Sequence, residues 1–195
     1  MTSEAARATF RQLKGVTAEE FAPLLPATEQ FRATLPDRVL GALRRLGGRY
    51  DGFPIDRLHH SLQTATLALR DGRDEEYVVC ALVHDIGDEL AFYNHGELAA
   101  VVVEPFVSPA NHWMVRNHPP FQGYYYWQHV DKDPLTVERL RGHPHFEHTW
   151  AFVERYDQRA FDPDLETLPL DAFEPLVRRV FARQPRPDYS PGGLA

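Results

Sequence analysis

From Tyr77 to Val83 the chain is apolar without a break, and it then sets His84 and Asp85 side by side. A helix over EEYVVCALVHD, capped at its start by Asp74, is apolar almost all round and belongs at the centre of a bundle. An imidazole and a carboxylate at the end of such a helix are costly to bury without partners. The pair therefore asks for partners from elsewhere in the chain.

The surrounding sequence supplies helices. Thr17-Ala-Glu-Glu20 reads as a capping box ahead of Phe21, Leu24 and Leu25. A helix over much of 28–45, interrupted near Pro36, ends at Gly47-Gly48, and Asp56 caps another from about Arg57 to Arg70. GELAAVVVEPF reads as helical up to Pro105, and SPANHWMVRNH as a helix stopped by Pro119-Pro120. FQGYYYWQHV, rich in aromatic residues, reads as an irregular lid. Further helices are expected over 134–141, 145–157 and 168–183, with a loose tail over 184–195. Strand alternation is nearly absent, so the expected fold is all-α: one helical domain spanning 1–195.

The 195 residues suffice for one sizeable core. A formal net charge of −7, with no long basic run, argues against a nucleic-acid partner. No segment is long and apolar enough for a membrane span or signal peptide, so a cytoplasmic location and no membrane partner are expected. The lone Cys80 lies in the apolar run and reads as a buried structural thiol. Oligomeric state leaves no mark in the sequence.

Ten histidines cluster between His59 and His148. His60, His84, Asp85, His95, His118 and Asp157 together offer four imidazoles and two carboxylates, enough for two divalent ions with one carboxylate bridging. A set without thiolates suits iron, manganese, zinc or cobalt. His60 lies almost opposite the stripe Leu58, Leu62, Ala65 and Leu69, which requires its helix to be buried on two sides. His59, nearer the stripe's edge, reads as a supporting or surface residue. Of His112, His129, His143, His145 and His148, at most one is expected near a metal.

HHSLQ, HDIGD and the later His and Asp positions resemble the HD-domain superfamily, whose pattern is H…HD…H…H…D on a helical bundle. LHHSLQTATLA, the Tyr50 ten residues before His60, and ERYDQ with Tyr156 before Asp157 are closest to its mixed-valent di-iron oxygenases. These include the myo-inositol and phosphonate-cleaving oxygenases. The resemblance covers about 50–160, the expected metal-site core. It implies two iron ions, with His60, His84 and Asp157 at or near the first, His95 and His118 on the second, and Asp85 bridging. It also implies that Tyr50 covers the oxygen site until substrate displaces it.

Such a centre would use O2 to abstract hydrogen from a small polar hydroxylated substrate and hydroxylate or cleave it. The phosphonate enzymes carry a lysine where Gln122 stands, an arginine where Glu154 stands, and an acidic residue where Phe53 stands. Losing both cations argues against a phosphonate dianion. Gln122, Tyr126 and Glu154 become the substrate-facing candidates, with an ammonium group suited to Glu154 and the aromatic stretch. The alternative is a phosphohydrolase using manganese or another divalent metal, the commonest HD activity. Against it, Asp88 stands where many HD phosphodiesterases have a lysine. A non-enzymatic metal-binding sensor is the third class, and no missing ligand favours it.

Overall fold

The computed structural model describes residues 7–186 and is all-α, with no strand among them. Its helices are α1 (Ala18–Phe21), α2 (Leu24–Ala33), α3 (Leu35–Arg45), α4 (Arg57–Arg70), α5 (Glu75–Val83), α6 (His95–Val103), α7 (Pro109–Gly123), α8 (Phe146–Arg155) and α9 (Leu170–Phe181). Short 3-10 turns cover Ile86–Glu89, Trp127–Val130, Pro134–Leu140 and Asp157–Arg159. Of the loose tail expected over 184–195, residues 187–195 lie outside the described residues.

Helix starts follow the capping chemistry of the sequence. Asp56 accepts from the His59 amide, Asp74 from the Tyr77 amide and Ser108 from the Asn111 amide, and Thr17 with Glu20 completes a capping box. Helix α5 is the centre. Every residue from Tyr77 to Val83 is buried, including Cys80, and α4, α7 and α9 pack around it. Helix α4 is buried on two faces, as His60 required: Ser61, Gln63, Thr64, Ala65, Thr66 and Ala68 are all inside.

Three boundaries differ from expectation. Helix α5 stops at Val83, so His84 and Asp85 form a junction and not a last turn. The 134–141 stretch is a 3-10 turn. Helix α7 runs through Pro119 and Pro120 to Gly123, taking Phe121, Gln122 and Gly123 out of the expected irregular segment. A proline in a helix leaves the carbonyl four residues earlier without its donor. Here those carbonyls are Val115 and Arg116, and the first has a substitute donor in the His118 ring.

Two glycines permit close backbone approach, Gly87 to the start of α6 and Gly96, inside α6, to α7. A Cβ at Gly87 would lie 2.2 Å from the His95 carbonyl oxygen. One at Gly96 would lie 2.9 Å from the Arg116 carbonyl oxygen. Both clashes involve backbone, which cannot swing aside. Gly87→Ala is expected to destabilise the protein by about 1–3 kcal/mol through overpacking, read as a lowered urea midpoint with an unchanged slope. Wild-type stability in that variant would remove the constraint.

Candidate metal centre

Five segments bring the six sequence-chosen side chains together. His60 comes from α4, His84 and Asp85 from the junction after α5, His95 from the start of α6, His118 from α7, and Asp157 from the turn after α8. Five of them have side chains at most 4% exposed, while His95 is 22% exposed.

The Asp85 carboxylate divides the cluster. Its Oδ2 lies 3.5 Å from His60 Nε2 and 3.4 Å from His84 Nε2. Those nitrogens are 3.2 Å apart, and Asp157 Oδ1 lies 3.2 Å and 3.5 Å from them. Asp85 Oδ1 lies 3.1 Å from His118 Nε2 and 3.4 Å from His95 Nε2, which are themselves 3.2 Å apart. An ion with ligands at about 2.1 Å has neighbouring ligands about 3 Å apart. Each half of the cluster therefore has the dimensions of a coordination shell. The first has four donors and the second three.

The ring orientations follow from hydrogen bonds on the outer side. Nδ1–H donates to the Ala160 carbonyl in His60, Ala81 in His84 and Val115 in His118, each at 2.8 Å. In His95, Nδ1 faces the Phe92 carbonyl at 3.4 Å and Asp88 Oδ1 at 3.3 Å. A carbonyl only accepts, so these bonds place the proton on Nδ1 and aim the Nε2 lone pair inward. Lone pairs meeting at 3.2 Å repel unless positive charge lies between them. The buried Asp157 Oδ2, without a hydrogen-bond partner among the described residues, asks for the same. The donor set fits two divalent ions.

Electrostatics agree. Burial pushes His84 down, but Asp85 and Asp157 outweigh it and raise its pKa to about 9. At His118 burial wins and the pKa falls. Asp85 and Asp157 sit below the usual carboxylate range despite burial, Asp85 because of His84, His118 and His95, Asp157 because of His84 and His60.

The surroundings hold the donors in place. Gln122 donates to Asp157 Oδ1 at 2.9 Å and so orients a proposed ligand. The Gln63 amide brackets the Asp162 backbone and ties the turn carrying Asp157 to α4. Phe161 stacks on His60 with centroids 4.5 Å apart, and Phe53 stacks on Phe161 at 5.5 Å.

Not every candidate lies at the cluster. Tyr50 is 55% exposed, three residues from Phe53, and its side chain makes no hydrogen bond or ring contact with the six among the described residues. Tyr126 is 44% exposed. In its neighbour Tyr125, burial, then Glu154, Tyr124 and Asp157, raise the pKa. Glu154 is exposed. His59 faces Thr167 instead of the cluster. His112 approaches Glu104, His129 meets Gln128, His143 stacks on Trp113 with His145 beside it, and His148 bonds Asn111.

Two neighbours escaped the sequence reading as site residues, Tyr125 and Asp88. Asp88 faces His95 Nδ1, and its other oxygen lies 3.3 Å from Arg57. Burial, then Asp85, raises its pKa. The second aspartate of HDIGD, three positions after Asp85, was the available signal.

The fold and site define an all-helical protein with a buried histidine–aspartate cluster of dinuclear dimensions. No family model matches the chain. It is similar to the [1-hydroxy-2-(trimethylamino)ethyl]phosphonate dioxygenase (glycine-betaine-forming) of Leisingera caerulea, 29% identical over 179 residues that cover 76% of this chain and 91% of that enzyme. Among the described residues no helix is long and apolar enough to cross a membrane.

Two outcomes are expected. Pro119→Ala restores an amide donor to the Val115 carbonyl, which then competes with His118 Nδ1. Thermal stability should hold or rise, while metal affinity falls about 10–100-fold. Unchanged affinity by titration would contradict the anchoring role. Separately, a histidine with a folded pKa of about 9 against 6.5 stabilises the fold fully below pH 6.5 and loses that contribution as pH rises through 9. Chelator-treated protein should lose on the order of 3 kcal/mol of stability over that window. Saturating manganese should remove the dependence, since the cation takes the proton's place. A flat stability curve after chelation would contradict it.

Proposed function

We propose that this chain is an O2-dependent oxygenase that holds two iron ions through His60, His84, Asp85, His95, His118 and Asp157. Its substrate is a small polar molecule bearing a hydroxyl group. The observation that carries the reading is the inward convergence of four anchored imidazoles and two carboxylates, with Asp85 shared between the halves. The similarity to an enzyme named as a dioxygenase favours redox over hydrolytic use of that set. Manganese is the alternative metal.

Bound iron in an all-nitrogen and oxygen shell supplies redox chemistry with O2 and open positions for small ligands. The chain's own residues do the rest. Phe152, fully buried, stands edge-on to His84 and His118 and keeps water from that side. Approach is from the side of His95, the most exposed donor, which has the three-donor half beneath it. Tyr50, on the loop between α3 and α4, serves as the displaceable cover once that loop folds over the cluster, since here its side chain is exposed. Its loop contains three positive-φ residues, Gly48, Asp51 and Gly52, and reaches the cluster through the Phe53–Phe161 stack and through Arg57, which pairs with both Asp51 and Asp88.

Gln122, Tyr126 and Glu154 form the substrate-facing wall, together with Tyr125. That wall is neutral to acidic, so it suits a neutral polyol or an amine better than a dianion. The named relative's substrate carries a trimethylamino group, a hydroxyl and a phosphonate. The first two chemistries are the ones this wall accommodates.

Protein made in iron-sufficient cells should carry iron, give a mixed-valent paramagnetic signal after partial oxidation, and consume O2 with some member of a panel of small hydroxy compounds. Tyr50→Phe should change oxygen reactivity without loss of iron. Hydrolysis of an aryl phosphate with manganese, and no oxygen uptake with any hydroxy compound, would replace the oxygenase with the hydrolase.

A further inference from the structure

On the far side of Tyr156 from the cluster, the surface bears a cleft of about 250 Å³ lined by Leu67, Arg70, Asp71, Arg155, Tyr156 and Arg159. Three of the six lining residues are arginines, on a chain whose formal net charge is −7. Arg155 is paired with Asp71 at 3.0 Å. Among the described residues Arg70 pairs with Glu166, whose side chain is 91% exposed. The Arg159 guanidinium has no ion pair or hydrogen bond among the described residues, and it is exposed. A positive cleft on an anionic surface focuses the local field and draws anions to it.

The floor of this cleft is tied to the cluster. Tyr156 is 2% exposed. Its hydroxyl donates to Asp71 and accepts from Arg73 Nε at 2.8 Å. The next residue is Asp157, a proposed ligand, and Tyr156 packs against Phe152, which borders His84 and His118. Asp71 is therefore shared by a cleft arginine and by the tyrosine that precedes the ligand.

We propose that this cleft is a binding site for a compact multivalent oxyanion, inorganic phosphate or a phosphate monoester, held by Arg70, Arg155 and Arg159. Guanidinium groups match the oxygen edges of phosphate two at a time, and a phosphate group fits within the cleft's volume. An anion there competes with Asp71 for Arg155 and repels Asp71. That loosens the Asp71–Tyr156 bond and reaches Asp157 through one peptide unit. Anion and metal binding are then coupled, and the coupling is reciprocal. The inference is independent of the reaction performed at the metals.

The test titrates full-length protein with inorganic phosphate and, in a second arm, glycerol phosphate, at constant ionic strength set with chloride. Calorimetry should show one saturable site, and the tighter arm identifies the source of the phosphate group. The double variant Arg70→Gln/Arg159→Gln should bind the tighter probe roughly tenfold more weakly. In wild-type protein that probe should shift manganese affinity, and in the double variant it should not. Absence of saturable binding in both arms, or equal binding by the variant, overturns the site. A shift in manganese affinity that persists in the variant places the anion at the metals and overturns the coupling. Saturable binding with no shift in manganese affinity in the wild type overturns it as well.

Discussion

Everything at the cluster depends on where four imidazole protons are held. Each ring turns its Nδ1 toward backbone oxygen, or toward backbone oxygen and Asp88 in His95, and its Nε2 inward. Backbone carbonyls are fixed by the helices they terminate, so ring orientation becomes a property of the fold. Four converging imidazoles and two buried carboxylates need positive charge among them, which a proton on His84 or bound cations supply.

Breaks in regular structure provide the carbonyls. Ala81 lies in the last turn of α5, where carbonyls lack helical partners, and His84 uses one. Val115 is freed by Pro119, and His118 uses it. Ala160 follows the turn that carries Asp157, and His60 uses it from α4. Gly87 and Gly96 do related work for His95, since only residues without a Cβ permit the backbone approach there. Local costs in helix propensity are concentrated around the cluster, where function is expected to override local preference.

Much of this was legible beforehand. The apolar run ending in His84-Asp85 fixed a buried central helix, and Asp56, Asp74 and Ser108 marked helix starts that the structure retains. The resemblance selects His60 over His59 against the apolar stripe, and burial of α4 on two faces reconciles the two. His60 is 1% exposed, while His59 turns to Thr167. Less was legible wherever tertiary contacts override a local rule. Prolines ordinarily end helices, and no local signal tells that the lost bond at Pro119 will be replaced by a ring nitrogen one residue away. Asp88 and Tyr125 matter through what packs against them, which spacing does not encode. Gln122, read as a substrate contact, also orients Asp157.

The central claim is that one carboxylate, Asp85, joins two metal positions inside a helical core. Anomalous diffraction at the iron edge, from crystals of iron-loaded protein, tests it most directly. The account predicts two peaks about 3.5–4 Å apart, one among His60, His84 and Asp157, the other between His95 and His118, with Asp85 reaching both. A single peak, or iron only at surface histidines such as His143 or His145, would contradict it.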